Sequence, residues 1–295
     1  MFFIYKTISI VFLIISPIIV IYRIIVKKED KKRFVERYAF PSKKRKNGKL
    51  IWIHCSSVGE FLSIIPVVEK LEAKRKITQI LITTTTLSSS KLFNKFKLKK
   101  TIHQFFPIDN TLVINKFLNY WKPDSLLLCE SEIWPNLIDC IKEKKIKLIL
   151  VNGRLTKRSF ERWKIFKNFS SSIFEKFDIC FAQNYETQIR LKKLGAKKIK
   201  YLGNLKLATS KKVKTDFLEK KIINFFKNKK ILITAASTHF NEENFVIQSH
   251  LYFKKKLKNI ISIIVPRHVE RAEDIANELK KLGLRFHVHS RLKKK

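Results

Sequence analysis

The sequence predicts an α/β protein of two doubly wound, parallel-sheet domains behind an apolar amino-terminal segment, and three observations carry that expectation. Short runs rich in β-branched residues alternate with helix-length stretches: KLIWI, TQILITT, TIHQFF, SLLLC, IKLILVN and DICFAQ, then KKILITAAS, ISIIVP and RFHVHS. Strand and helix alternating at this spacing build βαβ units and hence parallel sheets. The rhythm lapses once, in a lysine-rich stretch after KYLGNLKLATSKKVK, which sets the expected domain boundary near residue 210. A length of 295 residues with 45% hydrophobic content supplies two cores of ordinary size. The expected division is therefore an anchor over 1–26, a first domain over 27–210 and a second over 211–295.

The segment TISIVFLIISPIIVIY, Thr7 to Tyr22, carries no charge and is bracketed by Lys6 and Arg23, with Pro17 inside it. It falls short of the roughly 20 residues a straight membrane span needs, so it either spans with snorkelling ends or lies partly buried in one leaflet. Lysine and arginine crowd the far side in KKEDKKRFVER, whereas only Lys6 and the amino terminus precede it. By the asymmetry of positive charge, everything after residue 26 is expected in the cytoplasm. A cleaved signal peptide is the competing reading, and it lacks a small-x-small cleavage site.

In open α/β sheets the ligand edge lies beyond the carboxyl ends of the strands. The stretches found there are HCSSVGE, TTTTLSSS, PIDN, ESEIWPN, NGRLTKRS, QNYET, STHFNEE and PRHVE, which are rich in carboxylates, hydroxyls and histidines. Helix capping alone accounts for some of them, Ser88, Asp109 and Asn184 among them. It accounts poorly for CESEIWPN: Glu130 and Glu132 at the end of an apolar strand would repel each other if both were buried, so one faces the cleft or a cation. Trp134-Pro135 then opens a helix, with proline where a missing N–H costs little. Arg154, Lys157 and Arg158 in NGRLTKRS can hold phosphate or pair with Glu130. Glu60, closing a small turn before the helical stretch FLSIIPVVEKL, is the first candidate for chemistry.

Composition bounds the partners. A formal charge of +39 points to an anionic partner, although lysine in scattered clusters alongside abundant Ile, Asn and Phe is also what AT-rich codon usage produces. No aromatic-studded basic strand, helix-turn-helix or zinc module is present, which argues against nucleic acid. Cys55, Cys129, Cys140 and Cys180 are widely spaced in apolar surroundings and read as small hydrophobes in a reduced compartment. No Cys/His pair has zinc-finger spacing, so no metal is expected.

The motifs HCSSVGE, ESEIWPNLI, NGRLTKRS, AQNYET, LGNLK, AASTH and VPRHVER run in one order from residue 54 to 271, and in that order the chain resembles the 3-deoxy-D-manno-octulosonic acid (Kdo) transferases. The apolar amino terminus followed by RFVERYAF also looks like that family's anchor and first helix. The resemblance implies a GT-B architecture of two Rossmann-like domains, the acceptor lipid on the first and CMP-Kdo on the second. It implies inverting transfer of Kdo from CMP-Kdo to the lipid A precursor at the cytoplasmic face of the inner membrane, with no metal or cofactor in the chemistry. Glu60 then corresponds to the general base, and Glu130, or else Glu132, to the second functional acid. Substrate contacts are expected from Ser57, Gly59, Arg154, Ser237, Thr238, Arg267 and His268, with Arg267 beside the departing phosphate and Ser237 and Thr238 binding it from a helix amino terminus. Gly203, Asn204 and Lys206 in LGNLK are expected to be structural.

Two departures from the family pattern stand out. The family continues NLK with Phe and Asp where this chain has Leu207 and Ala208. The family's second domain also continues for a further long stretch with a glycine-rich donor loop, whereas this sequence ends after RFHVHSRLKKK with three expected strands of that domain and six glycines in all. The expectation is a split or truncated gene, or a second polypeptide completing the donor site. The alternative function is a non-catalytic homologue that binds anionic lipid.

Overall fold

A computed structural model of the protein describes residues 1–209, 231–257 and 259–288. The chain divides into two compact units, Met1–Val213 and Lys214–Lys295. The boundary expected near residue 210 lies outside the described residues, as does the polar tail RLKKK.

The first unit opens with a long helix α1 (Phe2–Ile25) and a short 3-10 turn (Phe34–Tyr38). That turn is what the RFVERYAF segment forms in place of an α-helix. Its Glu36 is fully buried and accepts from Arg33 at 2.8 Å and from the Phe105 N–H at 2.7 Å. Ala39, left-handed at φ 58°, ends the turn, its N–H donating to Glu36 O at 3.0 Å.

Seven parallel strands follow, β1 (Leu50–His54), β2 (Gln79–Thr84), β3 (Thr101–Phe105), β4 (Ser125–Cys129), β5 (Lys147–Gly153), β6 (Ile179–Ala182) and β7 (Ile199–Tyr201), in the sheet order β3-β2-β1-β4-β5-β6-β7. β1 is buried along its whole length, as a strand covered on both faces must be. The helices between them are α2 (Val58–Glu72), α3 (Leu87–Phe93), α4 (Thr111–Trp121), α5 (Pro135–Glu143), α6 (Lys157–Ile165), α7 (Lys167–Phe174) and α8 (Tyr185–Lys193), and α9 (Leu205–Thr209) follows β7. One face of the sheet packs Trp52, Leu81, Leu126 and Leu148 against α4, α5 and α7, and the other packs Ile51, Ile53 and Ile80 against α2. Chain order reverses between β1 and β4, the place where such sheets open a crevice at their carboxyl edge.

Six expected strands of this unit form within a residue or two of their runs. β7 has no counterpart in the expectation: it is three residues long, and partly buried Ile199 alone supplies apolar pattern. Asn184 caps α8 as capping predicts, accepting from the Thr187 N–H at 2.8 Å. Ser88 does not cap, because Thr86 takes that place two residues earlier and accepts from the Ser89 N–H. All four cysteines are free and buried.

In the second unit, β8 (Ile231–Thr238) pairs in parallel with β9 (Ile260–Pro266), joined through α10 (Glu242–Lys256) and followed by α11 (Ala272–Lys281). The strand expected at RFHVHS does not form over residues 285–288, and its last two residues lie outside the described set. Phe286 in that run remains 40% exposed, so the burial that would favour a strand is missing.

Candidate active site

The crevice at the switch between β1 and β4 is built from two turns. After β1, Ser57 takes an extended conformation and caps α2, accepting from the Glu60 N–H at 3.3 Å. The Glu60 side chain folds back over the same turn: Oε2 accepts from the Ser56 N–H at 2.7 Å and Oε1 from the Ser57 hydroxyl at 3.2 Å. This reciprocal pattern resembles a capping box with the glutamate reaching one residue further back, to the N–H before the cap. Glu60 is 9% exposed, and burial pushes its pKa up to about 7. The Ser56 N–H and the Ser57 hydroxyl pull the other way, and the like charges of Glu132 and Glu130 add to the rise. Among the described residues Glu60 pairs with no cation. A carboxyl poised near neutrality at a cleft mouth is suited to accept a proton.

Gly59, one position before it, is glycine for no internal reason. Its backbone avoids the left-handed region, and a Cβ there would find Ser57 Oγ, at 4.0 Å, as its nearest neighbour. The space above the turn is left open.

After β4, Glu130 sits at φ 52°, a left-handed conformation uncommon for a long side chain. Its backbone is held on both sides, the N–H donating to Val151 O at 3.0 Å and the carbonyl accepting from the Arg154 N–H at 3.1 Å. Its buried carboxylate accepts from Lys206 Nζ at 2.9 Å, with Asn152 Nδ2 at 3.4 Å. Asn152 also accepts from the Leu205 N–H at 3.1 Å, so the LGNLK segment is tied onto the acidic loop at two points. Lys206, read from the sequence as structural, is thus the cation on Glu130. Arg154, expected as a partner for that carboxylate, contributes its backbone and leaves its side chain exposed at the rim.

Glu132 is engaged differently. Its Oε2 accepts from Trp134 Nε1 at 2.9 Å and lies 3.1 Å from His54 Nε2, while His54 Nδ1 lies 3.0 Å from Thr83 Oγ1. That chain braces the loop from beneath and leaves Glu130 as the acid at the junction with Lys206.

Asp109 adds a support the sequence did not suggest. It caps a distant helix in place of the one that follows it: Oδ1 accepts from the Leu137 N–H at 2.8 Å and Oδ2 from the Asn136 N–H at 3.2 Å, where α5 begins with Pro135 and has no side-chain cap of its own. Burial raises its pKa to about 6 against these hydrogen bonds. Only folding brings residue 109 to residue 136, so local sequence carries no signal of it.

In the second unit, Ser237, Thr238, Arg267 and His268 do meet at one edge, where the Arg267 N–H donates to Thr238 O at 3.1 Å. Ser237 at φ 60° marks a bulge at the end of β8. The expected phosphate site at a helix amino terminus needs correction. Thr238 donates its hydroxyl to Glu243 Oε1 at 2.6 Å, and Glu243 is gripped by Arg271 at 2.9 and 2.8 Å. The first turn of α10 already holds Glu242 and Glu243, and Glu242 accepts from the His239 N–H at 2.8 Å. Two carboxylates occupy the end that would attract an anion. Arg267, His268 and Ser237 stay exposed beside it.

The chain matches the family described as 3-deoxy-D-manno-octulosonic-acid transferase over residues 32–209. Its relatives include a 3-deoxy-D-manno-octulosonic acid transferase of Rickettsia bellii, 34% identical over 271 residues, which cover 92% of this chain and 64% of that protein. A transferase of the same description from Haemophilus influenzae is 30% identical, over 87% of this chain and 61% of that protein. This chain therefore spans somewhat under two thirds of their length. Among solved structures it resembles UDP-GlcNAc 2-epimerase from Neisseria meningitidis bound to UDP-GlcNAc, at 18% identity and a TM-score of 0.56, over 79% of this chain and 69% of that one. The fold is of GT-B type, and the family match covers the turn carrying Glu60, the loop carrying Glu130 and the Lys206 that pairs with it. The chain belongs to the 3-deoxy-D-manno-octulosonic-acid transferase family.

Proposed function

We propose that this chain acts in the transfer of Kdo from CMP-Kdo to the lipid A precursor in lipopolysaccharide biosynthesis, at the cytoplasmic face of the inner membrane, with Glu60 as general base. The observation that carries this reading is a buried carboxyl, raised toward neutrality and paired with no cation among the described residues, at the switch-point crevice beside a glycine that leaves the crevice open. Glu60 removes the proton from the acceptor's primary hydroxyl, whose oxygen forms a bond to the anomeric carbon of Kdo on the face opposite the departing CMP, inverting that centre. General-base assistance of this kind contributes about 10²–10⁴-fold. The first unit serves as the acceptor side, with Ser57, Gly59 and Arg154 around the base and Glu130–Lys206 as the second charged pair. The second unit serves as the donor side, where exposed Arg267, with Ser237 and His268 beside it, is suited to the phosphate of CMP as it leaves.

The test is transfer of labelled Kdo from CMP-Kdo to lipid IVA in detergent by the purified chain together with a polypeptide that supplies the rest of the donor side. The expected result is a labelled lipid product, lowered about a hundredfold or more in Glu60→Gln, while circular dichroism and acceptor binding persist. A Glu60→Gln protein near wild-type rate would transfer the base role away from Glu60. A chain that binds anionic lipid and transfers nothing supports the non-catalytic reading.

A further inference from the structure

The first helix has its amphipathicity inverted for a protein in water. The side turned to the domain is Phe2, Tyr5, Ser9, Leu13, Ser16 and Val20, spaced by three or four residues as one helical stripe requires. Half of that stripe is polar and bonded to the domain. Tyr5 donates to Asp109 Oδ2 at 2.8 Å, Ser9 Oγ accepts from Asn110 Nδ2 at 3.2 Å, and Ser16 donates to the Tyr38 hydroxyl at 3.1 Å. Lys6 pairs with Asp139 at 3.2 Å along the same side. The opposite side carries Phe3, Ile8, Ile14, Ile18 and Ile25, each more than half exposed. Isoleucine and phenylalanine facing outward along a whole helix call for an apolar cover. Exposed Lys27, Lys28, Lys31 and Lys32 directly follow it, as anionic lipid headgroups would favour.

The docked stripe also fixes the orientation. From Phe2 to Val20 it runs about 27 Å at 1.5 Å per residue, close to the roughly 30 Å of a bilayer's hydrocarbon. A helix crossing the membrane would drag Asp109, Asp139 and the ends of α4 and α5 into that layer beside it, where unsolvated charge is costly. Lying in the plane, the same helix buries its outer face about 5–10 Å deep and leaves those groups in water.

We propose that α1 is an in-plane bilayer anchor and that, through Tyr5, its seating supports the acidic loop. The Tyr5 hydroxyl and the Asn136 N–H share Asp109 Oδ2, so the helix on the membrane completes the cap of α5, the helix that ends the loop carrying Glu130 and Glu132. Tyr5 and Asp109 are positioning residues. The orientation stands without the transfer reading, and the name given to the supported loop rests on it.

Nitroxide labels at Ile4→Cys, Val11→Cys and Ile18→Cys, in protein bound to vesicles of phosphatidylethanolamine and phosphatidylglycerol, test the orientation by their collision depths. These positions are seven apart and share one face, and the native cysteines are buried. Equal depths within a few Å are expected. A progression approaching the roughly 21 Å that separates the outer two along the axis, or water-like exposure of all three, overturns the proposal. Hydrogen exchange tests the coupling: Tyr5→Phe is expected to speed exchange at Asn136 and Leu137 severalfold while leaving the amides of α2 unchanged. Unchanged exchange at both sites, or equal acceleration throughout the unit, overturns it.

Discussion

Two corners of this molecule repeat one motif with opposite results. At β1–α2 and at β8–α10, a strand ends in serine and threonine or serine pairs, a turn follows, and a helix begins with a buried glutamate in its first turn, Glu60 in one and Glu243 in the other. Glu243 receives the Thr238 hydroxyl and a bidentate Arg271, and despite burial these hold its carboxyl below the usual range. Glu60 receives one N–H and one hydroxyl and faces two other carboxylates, and its carboxyl rises to about 7. The helix terminus is common to both, so the dipole does not decide the matter. A cation in the pocket holds the carboxyl low, and without one burial lets it rise.

The largest consequence is a pH dependence of rate. A base titrating near 7 is fully ionised above about pH 8 and loses about tenfold of its active form per unit below 7, so transfer at pH 5 should fall about a hundredfold from the plateau. The acid limb should vanish from the residual activity of Glu60→Gln. A wild-type profile flat from pH 5 to 8 would remove the distinction between the two corners.

The second consequence falls on the cation. Arg271→Met strips Glu243 of its cation inside a buried pocket, and because Arg271 is itself partly solvated the expected loss is about 2–3 kcal/mol, below the 3–5 of a fully buried pair. Hydrogen exchange at the β8 and β9 amides would read it as faster opening of the second unit. An unaffected unit would mean that the Thr238 hydroxyl alone holds the carboxylate.

A third consequence runs in the opposite sense at Glu60. Its folded pKa lies above the unfolded value near 4.5, so its favourable contribution is complete below about pH 4.5 and is lost as pH rises through 7. Glu60→Gln should therefore be more stable than wild type at pH 8, by on the order of 1–2 kcal/mol, with the gain shrinking toward pH 5. Denaturant midpoints at the two pH values measure it. A variant less stable at both would show that the carboxylate is structural after all.

How far the sequence reaches follows the range of the interactions. The strands of the first unit are readable because each is a local run of β-branched residues, and Glu60 is readable because Ser57 and the turn lie beside it in the chain. Glu130 is readable as one of two acids, while its partner is not: Lys206 and Asn152 reach it across 76 and 22 positions respectively, through sheet order alone. Asp109 looks like a local cap and serves a helix 27 residues away. Thr238 looks like a phosphate ligand until Glu243, five residues on, takes its hydroxyl. The α1 segment reads as apolar in sequence, but which side meets protein depends on Asp109, Asn110 and Tyr38, remote in the chain.

The finest test touches Ser57 alone. Its hydroxyl does two things at once, accepting from the Glu60 N–H and donating to Glu60 Oε1. Ser57→Ala should cost about 1 kcal/mol through the lost cap, a small effect on folding. The donated hydrogen bond, however, favours the ionised carboxyl, so its removal should move the acid limb of the rate profile to higher pH, a shift in position that is read apart from the height of the plateau. At the other corner Thr238→Val removes a hydrogen bond that lowers Glu243 yet leaves it the Arg271 cation, a partner that Glu60 lacks among the described residues. If Ser57→Ala lowered stability and left the limb in place, the serine would be a cap and nothing more, and the rise at Glu60 would rest on burial and its neighbouring carboxylates alone.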